Sequence, residues 1–108
     1  MVTRVAVVGS CASGKSSVVA RLREQGVEAW AVAQEHSAIA ALWRHQQPDI
    51  LVFLDTTLAT VRARRDDDNW PAWIFTVQQE RLANARANAD LIVPTDDLTL
   101  DEVVETIL

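Results

Sequence analysis

The chain has 108 residues, 49% of them hydrophobic, and a formal charge of −5, which allows one domain with a single core and little room for insertions. An acidic balance argues against a nucleic-acid or anionic-membrane partner, which calls for a basic field, and no segment approaches the ~20 apolar residues that span a bilayer. A lone cysteine excludes an internal disulfide and, with no signal-peptide pattern ahead of the first strand, leads us to expect a cytoplasmic protein.

In chain order, Val5-Ala6-Val7-Val8 reads as a buried strand and Ser16 to Arg23 as a helix. Between them lies Gly9-Ser10-Cys11-Ala12-Ser13-Gly14-Lys15-Ser16, a complete G-x-x-x-x-G-K-[ST] phosphate-binding pattern in its proper strand-to-helix context. Glycines let such a backbone turn its N–H groups inward around an anion, and the helix N-terminus adds roughly half a positive charge. Lys15 would reach the β- and γ-phosphates, and the Ser16 hydroxyl would hold Mg²⁺. Lys15 is the only lysine, against nine arginines, at the one position where a compact ammonium is wanted. Cys11, near a helix N-terminus, reads either as a small side chain filling a tight turn or as an oxidation-sensitive thiol.

Gly26 supplies a helix stop, and Val27 to Ala33 reads as a second strand whose continuous apolarity suggests a parallel sheet covered on both faces. Gln34-Glu35-His36-Ser37 is an abrupt polar cluster at its end. Ser37 is expected to cap a helix of about ten residues through Ala38, Ile39, Ala41 and Leu42, stopped by Pro48. Ile50 to Leu54 is the strongest strand signal and runs into Asp55. Thr56 or Thr57 then caps a helix over Leu58 to Arg65, broken at Asp66-Asp67-Asp68-Asn69. A longer helix follows from about Ala72 to Ala89, with Ile74, Val77, Leu82 and Ala85 at helical spacing. Leu91-Ile92-Val93 makes a short fourth strand, and Thr99-Leu100-Asp101-Glu102 is a capping box for the last helix. Strands alternating with helices predict a small α/β/α domain, its parallel sheet of about four strands opening its ligand site at the strands' carboxyl ends.

With these elements laid out, the chain resembles the P-loop NTPase fold, and within it the branch of small-molecule kinases that includes adenylate, thymidylate, gluconate and shikimate kinases. The resemblance rests on the Gly9–Ser16 loop, on Leu51 to Thr57 followed by Arg62, Arg64 and Arg65, and on Ala89 to Asp96 followed by the capped helix. It implies ATP as ligand or co-substrate, Mg²⁺, a phosphate site over Gly9 to Ser17, and an adenine site beside Thr95 and Asp96. It also implies a lid whose arginines close over the triphosphate, Arg62 and Arg65 among them, and an acidic residue facing the acceptor, matched here by Glu35. The segment 34–49 is shorter than the acceptor-binding region of those kinases, and one central strand is missing.

Each remaining candidate has two readings. Asp55 either holds Mg²⁺ at the end of its strand or starts the next turn. Glu35 is either the base for a small acceptor or an ordinary loop carboxylate, and as a base it should affect turnover while leaving ATP affinity within about threefold. His36 is a second acid/base or a solvated side chain, and His45 a helix-end dipole contact. The arginines close on phosphate or pair with Asp66 to Asp68, and Trp70 and Trp73 stack on a base or pack on the core. No guanine-reading Asn-Lys-x-Asp element occurs, so an adenine nucleotide is expected. Two functions stand side by side: an ATP-dependent phosphotransferase or ATPase, and a nucleotide-binding regulatory module without an acceptor site. The missing cover makes a homo-oligomer plausible.

Overall fold

The computed structural model describes residues 3–108. Four strands form one all-parallel sheet in the order β2-β1-β3-β4: β1 is Arg4–Gly9, β2 Glu28–Ala31, β3 Ile50–Asp55 and β4 Leu91–Pro94. Four α-helices accompany them: α1 Lys15–Glu24, α2 Leu58–Arg65, α3 Ala72–Asn88 and α4 Leu100–Ile107. The fold is therefore α/β, with β1 and β3 at the centre of the sheet. Val5 to Val8 and Leu51 to Leu54 are buried without interruption, which only a strand covered on both faces requires.

One face of the sheet packs Val5, Val7, Val52, Leu54 and Val93 against Val18, Val19 and Leu22 of α1 and Val103 and Val104 of α4. The other packs Ala6, Val8, Leu51 and Phe53 against Leu82 and Ala85 of α3 and against Trp43. Neighbouring parallel strands are keyed by an aspartate ahead of the later one. Asp49 accepts from the Arg4 N–H at 2.8 Å and donates its own N–H to the Arg4 carbonyl, also at 2.8 Å. Asp90 repeats the arrangement with Leu51, at 2.8 and 2.9 Å. In each case one residue grips both backbone groups of its partner and sets where the strand begins.

Helix ends follow local chemistry. Gly26 has φ 80°, and the N–H groups of Gly26 and Val27 return to the carbonyls of Arg23 and Leu22, so α1 closes in a glycine-dependent double cap. Thr57 caps α2, and Thr99 with Glu102 forms the complete reciprocal box at the start of α4.

Two expectations are corrected. The helix expected from Ser37 to Pro48 is absent; a 3₁₀ turn, Gln34–His36, precedes the segment and a second, Leu42–Arg44, lies within it. Ser37 Oγ accepts from the Ile39 N–H at 3.1 Å, a short side-chain turn that competes with a helix cap. The buried Gln34 amide then takes the Ile39 carbonyl at 2.6 Å and the Trp43 N–H at 3.1 Å, groups that a helix would have used internally. Trp43 is thereby drawn into the core, where its indole N–H donates to Asn84 at 3.0 Å. The second strand is also shorter than 27–33 and lies at an edge, with Glu28 and Ala31 exposed.

Candidate functional site

Because all four strands are parallel, their carboxyl ends and the segments that follow meet at one end of the molecule. The loop after β1 sits where the chain's path reverses, with β2 on one side and β3 on the other, the usual ligand crevice of such sheets. Gly9 admits no side chain: a Cβ there would lie 2.6 Å from Ser13 Oγ and 2.9 Å from the Leu54 carbonyl oxygen. The loop turns through Ala12 at φ 58° and Gly14 at φ 93°, so a left-handed alanine holds strain of order 1–2 kcal/mol within it. Gly14 is the N-cap of α1, and Ser16 and Ser17 stand exposed on the first turn. Ser13 Oγ is buried with no hydrogen-bond partner among the described residues.

Lys15 folds back over this loop. Its ammonium donates to the carbonyls of Gly9 at 2.8 Å and Ser10 at 3.1 Å and to the carboxylate of Glu35. Glu35 is only 3% exposed, and its second oxygen, Oε1, has no hydrogen-bond partner among the described residues. The first 3₁₀ turn carries Glu35 to the loop, and Gln34 anchors it through its bonds to Ile39 and Trp43 in the segment expected as a helix.

Cys11 is fixed from the opposite side by Gln78 of α3. The Cys11 N–H donates to Gln78 Oε1 at 3.0 Å, which settles the amide's orientation and leaves Gln78 Nε2 to donate to Cys11 Sγ, also at 3.0 Å. His36 Nε2 lies 3.7 Å from the same sulfur and 3.9 Å from a Glu35 oxygen.

Of the three arginines of α2, the one that reaches the loop is Arg64. It donates to the Ala12 carbonyl at 2.8 Å and to the Thr95 carbonyl at 3.1 Å, strapping the loop to the end of β4. Arg62 donates to the Trp70 carbonyl at 3.0 Å, and Arg65 lies over the Trp70 ring, so neither of the two arginines expected at the site touches the loop. Trp70 is a buried packing residue, whereas Trp73 is 69% exposed. Thr95 is buried, with its hydroxyl 2.7 Å from that of Thr56. Asp96 accepts from the Thr57 N–H at 3.1 Å. Its burial works to raise its pKa, but hydrogen bonds from Thr57 and Thr60 and the charge of Arg64 prevail, holding the carboxyl below its ordinary value. Asp55 pairs with Arg86 at 3.2 Å. His45 ends the second 3₁₀ turn, away from this group.

Two adjoining hollows open on the loop. One of about 230 Å³ is walled by residues 12–17, and one of about 380 Å³ runs from Ala12 and Arg64 to Thr95, Leu98 and Leu100. Lined by the loop and its small hydroxyl side chains at one end and by apolar side chains at the other, the pair suits an elongated ligand with an anionic head and a flat apolar tail. Gln78 carries no local signal, and Arg64 could not be singled out among its neighbours. Gln78 acts across 67 positions of sequence, and the choice among Arg62, Arg64 and Arg65 depends on the rotation of α2 against the loop. No helix among the described residues is long and apolar enough to cross a membrane. Comparison with protein-family models and with curated proteins found no match to this sequence.

Proposed function

We propose that this chain binds a nucleoside triphosphate, ATP by preference, with Mg²⁺, and acts as a small phosphotransferase or ATPase. The observation that carries the reading is the Gly9–Ser16 loop itself. It has a glycine that cannot take a side chain, a left-handed glycine at the helix N-cap, and an ammonium held over the turn by the loop's own carbonyls. The Ser13 hydroxyl, without a partner among the described residues, fits a phosphate oxygen, and the exposed Ser16 hydroxyl would hold Mg²⁺. The metal, when bound, offsets charge on the phosphate oxygens.

Glu35 gives the reading its chemistry. Its carboxylate satisfies Lys15, much as a phosphate oxygen would. When a triphosphate takes the Lys15 ammonium, Glu35 is released and can accept a proton from a water or hydroxyl aimed at the γ-phosphate. Arg64, already bridging Ala12 and Thr95, is the arginine best set to meet phosphate charge, in preference to Arg62 and Arg65. The apolar hollow toward Thr95, Leu98 and Leu100 would take the base. A second reading, a binding module without turnover, is favoured by the segment between β2 and β3, where two 3₁₀ turns leave no acceptor-binding element.

Calorimetry with Mg·ATP tests the assignment. Lys15→Ala should weaken binding by about 1.5–3 kcal/mol, the range for charge-assisted hydrogen bonds, and equal affinity in the two proteins would sink the proposal. Glu35→Gln removes a negative charge that competes for Lys15, so it should tighten Mg·ATP about tenfold, near 1.4 kcal/mol. This replaces the expectation of unchanged affinity. The same substitution should slow ADP formation by about 10²–10⁴-fold, and wild-type binding with no ADP formed under any acceptor would select the second reading.

A further inference from the structure

We propose that Cys11, Glu35 and His36 form a binding site for a thiophilic divalent cation of the zinc class, separate in chemistry from any Mg²⁺ held by a nucleotide. One ligand atom from each residue, a thiol sulfur, a carboxylate oxygen and an imidazole nitrogen, lies within 4.8 Å of the other two. Two of these separations are 3.7 Å, sulfur to Nε2, and 3.9 Å, Nε2 to Glu35 Oε2, the oxygen that also accepts from Lys15. Tetrahedral zinc with ordinary bond lengths sets such pairs about 3.5 and 3.3 Å apart, so these two close by a few tenths of an ångström, and the sulfur-to-oxygen pair, within 4.8 Å, closes by no more than about 1.3 Å. His36 is free to make it, its side chain being 59% exposed, and it also opens the site to solvent.

The ligand types argue for this class of ion. Hard cations such as Mg²⁺ and Ca²⁺ take oxygen, whereas a set of one sulfur, one nitrogen and one oxygen suits zinc and its neighbours, leaving a fourth position for water. Glu35 supplies the independent observation. It is a carboxylate almost wholly removed from solvent, with one oxygen engaged by Lys15 and the other without a hydrogen bond among the described residues. A cation held between Cys11 and His36 would engage this buried carboxylate, whose Oε2 lies 3.9 Å from His36 Nε2, and the thiolate and carboxylate would offset its charge while Lys15 keeps its loop carbonyls. Gln78 acts as the supporting partner, since its amide N–H donates to the sulfur and would stabilise the thiolate. On binding, the thiol proton leaves to solvent and a sulfur–metal bond forms. The ion would join the loop after β1 to the turn after β2.

The test uses the untagged full chain without nucleotide, so its failure leaves the triphosphate reading to its own calorimetry. Titration with Co²⁺ should produce a thiolate-to-cobalt charge-transfer band at one equivalent, and Zn²⁺ should bleach it. Cys11→Ser should abolish the band, and His36→Gln, at an exposed position that folding does not need, should weaken Zn²⁺ binding at least tenfold. The binding heat of Zn²⁺ should vary with the ionisation enthalpy of the buffer, reporting the released proton. Absence of the band, its survival in Cys11→Ser, or undiminished Zn²⁺ affinity in His36→Gln would each overturn the proposal.

Discussion

The two faces of the sheet are built by different rules. Toward α1 and α4 the packing is aliphatic throughout, valines and leucines of the sheet against Val18, Val19, Leu22, Val103 and Val104. Toward α3 the buried set includes Trp43, Gln34 and Gln78, and the polar members are there to be hydrogen-bonded: Gln34 to Ile39 and Trp43, Gln78 to Cys11. Apolar burial is non-directional and sums into stability, whereas buried amides contribute little net energy but admit few geometries. The first face therefore holds the domain together, and the second aims Cys11 and Glu35 at the loop.

Substitutions on each face should separate these roles. The largest effect is expected from Leu22→Ala, which empties a fully buried site on the aliphatic face and should cost about 2–5 kcal/mol of stability by urea unfolding. The ties of Cys11 to Gln78 and of Glu35 to Lys15 should be unaffected in any structure of that variant that still folds. Gln34→Leu comes next. It keeps the volume but strands the Trp43 N–H and the Ile39 carbonyl, for about 1–3 kcal/mol. Its signature is local: amide exchange at Trp43 should accelerate, and Glu35 should lose its fixed relation to Lys15, while amides of β1 and β3 exchange as before. If both variants lowered global stability equally and changed exchange uniformly, the distinction between the faces would fail.

The smallest expected effect lies outside both faces, at the start of α4. The Thr99 N–H and hydroxyl hold the Glu102 carboxyl below its ordinary value near 4.5. A carboxylate whose folded pKa is depressed stabilises the fold above its unfolded pKa and loses that contribution as pH falls through the folded value. The Tm of the wild type should thus exceed that of Glu102→Gln at neutral pH, and the gap should close as pH drops below about 4.5. A gap that persists in acid would mean that the side chain acts through packing.

Legibility in the sequence divides along the same line. The strands, α1, α2, α3 and α4 were readable because periodicity, caps and glycine stops are local: Gly26 ends α1, Thr57 opens α2, and Thr99 with Glu102 opens α4. The Gly9–Ser16 loop was readable because its spacing is itself local. What the sequence concealed depends on contacts between distant positions. Ala38 to Leu42 have the composition of a helix, yet the demand of Trp43 for the core and the reach of Gln34 override that propensity. Arg64 could be told from Arg62 and Arg65 only once α2 was docked, and Gln78 announced nothing of its tie to Cys11. Both proposed sites share the strand ends that the parallel sheet brings together.

The strand order carries a consequence for how the chain must assemble. In a 2-1-3-4 parallel sheet no two strands are joined by a hairpin, so every row of ladder bonds closes only after a crossover has been ordered. β1 lies at the centre, and its bond to the segment that keys β3 spans 45 positions, from Arg4 to Asp49. Until Ile50 to Asp55 are in hand, Val5 to Gly9 can be paired along one side only, and the other side is an open edge of apolar strand. The Gly9–Ser16 loop shares this dependence, because the Leu54 carbonyl that crowds Gly9 arrives with β3. The most local motif in the chain thus acquires its shape from one of the last strands to be made.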